Sequence, residues 1–430
     1  MEKLKIKKLD EVIYKEVLSN GLTVYIYNKP GFISNYAFLD AKYGSVNNDF
    51  IPVGSKEKKN YPLGIAHFLE HKLFESSENE SVFEKLENYG AYVNAATSYD
   101  KTYYYISTSN NFKECLKILI DFVYSPCFTD ENVNKEKGII GQEIDMCNDN
   151  PDRFMYQTLT YNVLDKSYYK YDIAGTKEDI DKITKEDLYE CYNTFYNPSN
   201  MSLTIAGDFD VEDMLTYIKN CQLIDEKSNK IKQSRIKETD NIPVKYEKYK
   251  HNIKVNKVGY CYKINYDKMS KKELFILKKY LNIFYSILFD GTSGFHKYLV
   301  NNNLIHSRFE CDYDILFHDN LTLLLYFIAD AKDKEKFKKV LEDKILNTKD
   351  IKTEFEKRKK NILARFILSF ESLEGVVSSI RSNFHNYDDD IMIDAYHILK
   401  SLNYEDFMKF IKSINLDNYT ELELVGGKNA

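Results

Sequence analysis

The sequence predicts an α+β fold of two similar domains, each a largely antiparallel sheet with helices packed on it. Three observations predict it. The chain has 430 residues, beyond the roughly 250–300 at which a single core stops growing. Strand-like alternation and helix-length stretches recur in the same order in both halves. Each half also closes on a short apolar strand that ends in glycine, 203–206 before Gly207 and 422–425 before Gly426. An apolar content of 43% is enough for two packed cores.

The elements follow in order. Leu22, Val24 and Ile26 alternate with more polar neighbours after the Asn20-Gly21 turn, which reads as a hairpin strand. Lys29-Pro30-Gly31 breaks it, and 36–43 returns as a strand. Residues 45–62 show no period and read as a loop. Helices are expected over 64–74 and 81–89, the second stopped by Gly90. Strands at 93–96 and 102–106 precede helices at 111–124, 130–148 and 152–164. The second half offers strands near 255–264, 306–315 and 320–328, helices near 271–289 and 294–302, and long helices through 333–415. The charged, proline-containing stretch 225–248 reads as a linker, dividing the chain into domains 1–224 and 249–430.

A net charge of −6 with 29% charged residues gives no footprint for nucleic acid and no pull toward anionic membranes. The seven cysteines are widely spaced and never form C-x-x-C. Reduced thiols therefore fit better than a disulfide framework or a cysteine zinc site. Neither a signal-peptide core nor a run of roughly 18 apolar residues is found. A soluble, cytoplasmic protein is the expectation.

The chemistry concentrates in His67-Phe68-Leu69-Glu70-His71. On a helix, residues four apart share a face, so His67 and His71 can hold one ion, with Glu70 nearly on that face. Ile65, Phe68, Leu69 and Leu73 fall opposite and anchor the helix; Lys72 interrupts them and is expected to snorkel out. Imidazole suits zinc, and a catalytic zinc keeps three protein ligands and an open position for water. Bound zinc lowers that water's pKa to about 7. A neighbouring carboxylate such as Glu70 can take its proton and pass it to a leaving amine. H-x-x-E-H is the inverzincin pattern. His67 and His71 are also the only histidines in residues 1–250. The bland alternative is a pair of solvated histidines on an amphipathic helix.

A third ligand is needed. On the 130–148 helix, Glu136 and Glu143 are seven apart, on one face but about 10 Å apart along the axis. Geometry alone leaves both open, and such a charged face is more often merely solvated.

These residues resemble the pitrilysin family of zinc metallopeptidases, which includes insulin-degrading enzyme and the mitochondrial processing peptidase. The inverted motif matches at His67, Glu70 and His71, and the distal acidic segment at 136–143. The resemblance implies a zinc endopeptidase with Glu143 as third ligand, Glu136 as an outer-shell or proton-handling acid, and a metal-free second domain. It also implies that Asn94, Ala95, Ala96 and Thr97 lie on an edge strand that holds the peptide substrate as an added strand. By themselves these four are ordinary strand-end residues. Half-size chains of this kind pair as homo- or heterodimers enclosing a chamber. In the family, a second-half Arg and a Tyr seven residues later help bind substrate; here Leu299 and His306 stand there, with Arg308 out of register. A sister subunit is expected to supply that pair. Two further readings are a weakly active or non-catalytic subunit of a heteromeric processing peptidase, and a zinc hydrolase of nucleotides or amides. Glu70 argues against the first, and the lack of a phosphate-cradling glycine loop against the second.

Overall fold

A computed structural model describes all residues except 76–80, 222–230, 234–235, 318 and 428–430. It divides into two compact units of interleaved chain: 1–144, 172–234 and 366–395 in the first, and 145–171, 235–365 and 396–430 in the second.

The first unit holds strands β1 (Glu2–Ile6), β2 (Glu11–Val17), β3 (Thr23–Asn28), β4 (Asn35–Ala41), β5 (Tyr92–Thr97), β6 (Thr102–Thr108) and β7 (Met201–Gly207). They form one seven-stranded sheet in the order β1-β2-β3-β7-β4-β6-β5. Only β3 and β7 run parallel. The expected hairpin exists between β2 and β3, whereas β3 and β4 do not pair, because β7 lies between them. The expected loop 45–62 contributes Asp49–Ile51 and Lys59–Asn60 to a small three-stranded sheet with Lys232–Gln233.

Both faces of the large sheet are covered. Val24, Ile26, Leu39, Leu203 and Ile205 join one core with α1 (Ile65–Leu73), α2 (Val82–Glu87), α3 (Phe112–Tyr124) and α4 (Asp130–Asp149). Tyr25 and Tyr27, read from sequence as polar-face neighbours, are buried in a second core under the helix Leu373–Asn386, against Val376, Val377 and Ile380. Arg381 of that helix grips the buried Asp40 of β4 as a fork, Nη2 to Oδ1 at 2.8 Å and Nε to Oδ2 at 2.9 Å. The site lies between α1, α4 and the edge strand β5.

The second unit holds β8 (Tyr246–His251), β9 (Lys257–Tyr266), β10 (Ile305–Phe317), β11 (Leu321–Ala331) and β12 (Tyr419–Gly426), ordered β8-β12-β9-β11-β10 with only β8 and β12 parallel. Numbering the five strands within each unit, β3-β7-β4-β6-β5 and β8-β12-β9-β11-β10 are both 1-5-2-4-3. The repeat seen in element order is thus a repeat of topology. Helix α5 (Pro151–Val163) packs on β9 and β12. Gly259 of β9 makes room, since a Cβ there would stand 2.7 Å from Leu159 Cδ1.

Each unit therefore takes a helix from the other half of the chain, an exchange that the contiguous division at 224 and 249 misses. Sequence patterning reports order, not which sheet a helix lands on. The expected linker 225–248 lies outside the described residues at 225–230 and 234–235. Elsewhere it is not a free tether: Glu238 is buried and paired with Lys263 at 3.0 Å, and its last three residues belong to β8. Among the described residues no helix is long and apolar enough to cross a membrane. No disulfide joins any of the seven cysteines.

Candidate metal centre

Gly64 opens α1 at φ 81°, and a Cβ there would meet the Ala174 carbonyl oxygen at 2.2 Å. A side chain would push the helix off its seat. From that start Ile65, Phe68 and Leu69 sink into the core, at most 1% exposed, and the two imidazoles emerge together with ring centroids 4.6 Å apart. Helix α4 is started by Thr129, which exchanges hydrogen bonds with Asn132. Val133, Glu136, Ile140 and Ile144 form its buried stripe. Glu136 thus replaces an apolar residue in a core-facing row, and the solvated-face alternative fails for it.

The structure brings His67, His71 and Glu143 into one group whose ligand atoms all lie within 4.8 Å of one another. Glu143 Oε2 stands 3.7 Å from His67 Nε2 and 3.7 Å from His71 Nε2. Donors about 2.0–2.1 Å from a tetrahedral zinc stand about 3.3–3.4 Å apart. The donor types fit such an ion, and both Glu143 distances exceed that spacing by only a few tenths of an ångström. Glu136 Oε1 lies 2.9 Å from His71 Nδ1, on the other side of the ring. The two acids that geometry on one helix left open therefore reach the two nitrogens of one imidazole. A carboxylate accepting from Nδ1–H leaves Nε2 with its lone pair.

The charges are interdependent. Burial raises the pKa of Glu70, against a Thr97 hydrogen bond that lowers it. Burial disfavours charged His71, but the hydrogen bond and charge of Glu136, with Glu70 and Glu143, outweigh it and hold the imidazole's pKa above its ordinary value. Burial likewise opposes ionised Glu136, yet His71 and Lys72 hold its carboxyl below the usual range.

Lys72 does not snorkel. It is 0% exposed, with Nζ 2.5 Å from Glu75, 3.8 Å from Glu136 and 3.2 Å from the Asn132 carbonyl oxygen. A charge inside a core must be paired, and Glu75 at i+3 was the sequence signal for this. On the edge strand, Asn94 donates to the Tyr92 hydroxyl at 3.0 Å and accepts from the Ala95 N–H at 2.8 Å. Ala95 and Ala96 are half-buried. Thr97 donates to Glu70 Oε2 at 2.6 Å, a contact no spacing rule revealed. In the second unit Leu299 is fully buried and His306 is exposed. Arg308 is bound to Asp152 at 2.9 Å and to Glu310.

Two family models match the chain, Insulinase (Peptidase family M16) over residues 50–177 and Peptidase M16 inactive domain over residues 182–362. The zinc protease YmfH of Bacillus subtilis is 33% identical over 427 residues, 98% of this chain and 98% of its own length. The chain belongs to peptidase family M16, the insulinase family. Another M16 relative, the human mitochondrial-processing peptidase subunit beta, is 27% identical over 174 residues, 40% of this chain and 36% of that protein. An M16-like peptidase from Alicyclobacillus acidocaldarius superposes with a TM-score of 0.87 at 29% identity, over 98% of this chain and 99% of that one. Pitrilysin shares the fold, with a TM-score of 0.73 at 15% identity over 99% of this chain and 46% of its own. Within the M16 match at 50–177 fall His67, Glu70, His71, Thr97, Glu136 and Glu143; the inactive-domain match contains none of them.

Proposed function

We propose that this chain is a zinc-dependent endopeptidase, on one carrying observation: two imidazoles of one helix and a carboxylate of another converge at ligand spacing beside a buried glutamate. His67, His71 and Glu143 would hold the ion. When bound, zinc supplies a water of low pKa and polarises the scissile carbonyl. Glu70 would take a proton from the attacking water and return it to the leaving amine. Glu136 holds the His71 ring in its ligating orientation. The peptide lies extended along β5, where Asn94, Ala95 and Ala96 offer the free edge of the sheet. YmfH and the other zinc-protease relatives support zinc as the metal.

The chain works as half of a two-chain assembly enclosing its substrate, with a sister chain contributing the Arg–Tyr pair. Leu299 in a core and Arg308 in ion pairs favour this, since neither supplies the missing group here. The second reading, a weakly active subunit of a heteromeric processing peptidase, draws on the same departure. A cytoplasmic location agrees with the free thiols.

Metal analysis and peptide hydrolysis of the parent and Glu70→Gln test the reading. The expected result is one zinc per chain in both and turnover only in the parent; a variant that still hydrolyses at the parental rate overturns it. Turnover by the chain alone that no Arg–Tyr sister chain increases would remove the two-chain part.

A further inference from the structure

Thr97 ends the edge strand β5, and its side chain points at the acid of the metal helix. Its Oγ1 stands 2.6 Å from Glu70 Oε2. Its strand partner Thr102 lies 3.3 Å away, hydroxyl to hydroxyl. Thr102 donates its own proton to the Tyr43 carbonyl at 2.9 Å, in a fully buried position. It has no second proton to give Thr97. The single Thr97 proton therefore lies on the shorter contact, toward the carboxylate.

We propose that Thr97 is a positioning residue for Glu70 rather than a substrate contact, an inference that rests on the function proposed above. Glu70 is 8% exposed and is held by both the hydroxyl and the backbone of Thr97; loss of the shorter hydroxyl bond loosens the carboxylate about its last torsion. The hydroxyl bond holds one oxygen and so fixes the plane of the carboxylate. The other oxygen then keeps a constant direction toward the reacting water. The proton path is unchanged: water to Glu70, then Glu70 to the leaving nitrogen. Thr97 neither gives nor takes a proton overall. Because it ends the strand on which the peptide is laid, it ties the acid's position to the substrate's own support.

The test compares Thr97→Val, Thr97→Ser and Glu70→Gln in the full zinc-loaded chain. Valine keeps the branched shape a strand favours. Its loss of the hydroxyl is expected to lower kcat about 10- to 100-fold, as misplacing a catalytic group does. KM should stay within about two-fold, and zinc affinity by chelator competition should equal the parent's. Serine should restore kcat. Peptide affinity should be the same for Glu70→Gln with and without Thr97→Val. A Thr97→Val chain with parental kcat, or with raised KM at unchanged kcat, overturns the proposal, as does loss of zinc. If Glu70→Gln is inactive and Thr97→Val is not, this inference alone falls; if Glu70→Gln is active, the proposed function falls with it.

Discussion

The two units run the same five-strand order, and the helix entered after the second strand of each is where they part. In the first unit that helix is α1, nine residues carrying His67, Glu70 and His71. In the second it is Lys271–Leu288, which contains no histidine and buries Leu274, Leu277, Leu281, Phe284 and Leu288. One scaffold thus supports a polar face carrying two imidazoles and a carboxylate, and an apolar one. The difference teaches that the fold supplies the position and the helix sequence supplies the chemistry. Among the described residues, His67, His71 and Glu143 form the one group spaced to hold a metal.

The largest effect should separate the two helices outright. His67→Ala or His71→Ala is expected to take bound zinc from one per chain to none and to cut hydrolysis about 10³-fold or more. Tyr280→Phe, on the second helix, should leave metal content untouched. Metal analysis after dialysis decides it, and zinc surviving the loss of either imidazole breaks the contrast.

Next comes one buried ion pair taken from each unit. Arg381→Met leaves Asp40 with His385 alone, and Lys263→Met leaves Glu238 with backbone N–H donors only; both acids are 1% exposed or less. Each should cost about 3–5 kcal/mol in denaturant unfolding. The first also carries a pH signature. Burial pushes the Asp40 carboxyl up, but His385 and Arg381 more than reverse this and hold it below its ordinary value. A carboxyl lowered in the folded state contributes stability that is complete above its unfolded value near ~3.9 and is lost as pH falls through the folded one. Acid titration of stability should therefore be shallower below about pH 4 in Arg381→Met than in the parent.

A smaller change sharpens the comparison within the site. Glu136→Gln should weaken zinc binding about 10- to 100-fold by chelator competition, because the His71 ring loses its charged acceptor. Unchanged affinity would make Glu136 a charge partner of Lys72 only. Smallest are the helix caps. Ser81 with Glu84 and Ser270 with Glu273 form the same reciprocal box in the two units. Ser81→Ala and Ser270→Ala should each cost about 1 kcal/mol, and unequal costs would mean that the units differ in more than their ligands.

Much of this was legible beforehand because it is local. Helices α1 to α5 and strands β5 and β6 lie close to where periodicity and capping residues put them. The imidazole pair needed only the helical repeat, and the family resemblance added Glu143. What failed was relational. Tyr25 and Tyr27 looked outward until a helix from residue 373 onward covered them. Lys72 looked bound for solvent, yet it is sealed in the core with Glu75 as its nearer partner and Glu136 of α4 beyond. Thr97 lies on the expected edge strand, but nothing in a strand's two-residue period says that its hydroxyl meets Glu70.

The sequence by itself determined the elements, the paired halves and the imidazole-bearing face of α1, since each is set by neighbours within a few turns of chain. Only the tertiary structure decided that Glu143 and Glu136 take opposite nitrogens of His71, that Lys72 is sealed inside, and that each sheet is roofed by a helix from the other half. Those outcomes depend on how separate elements pack, and burial against a distant partner leaves no periodic trace in either segment.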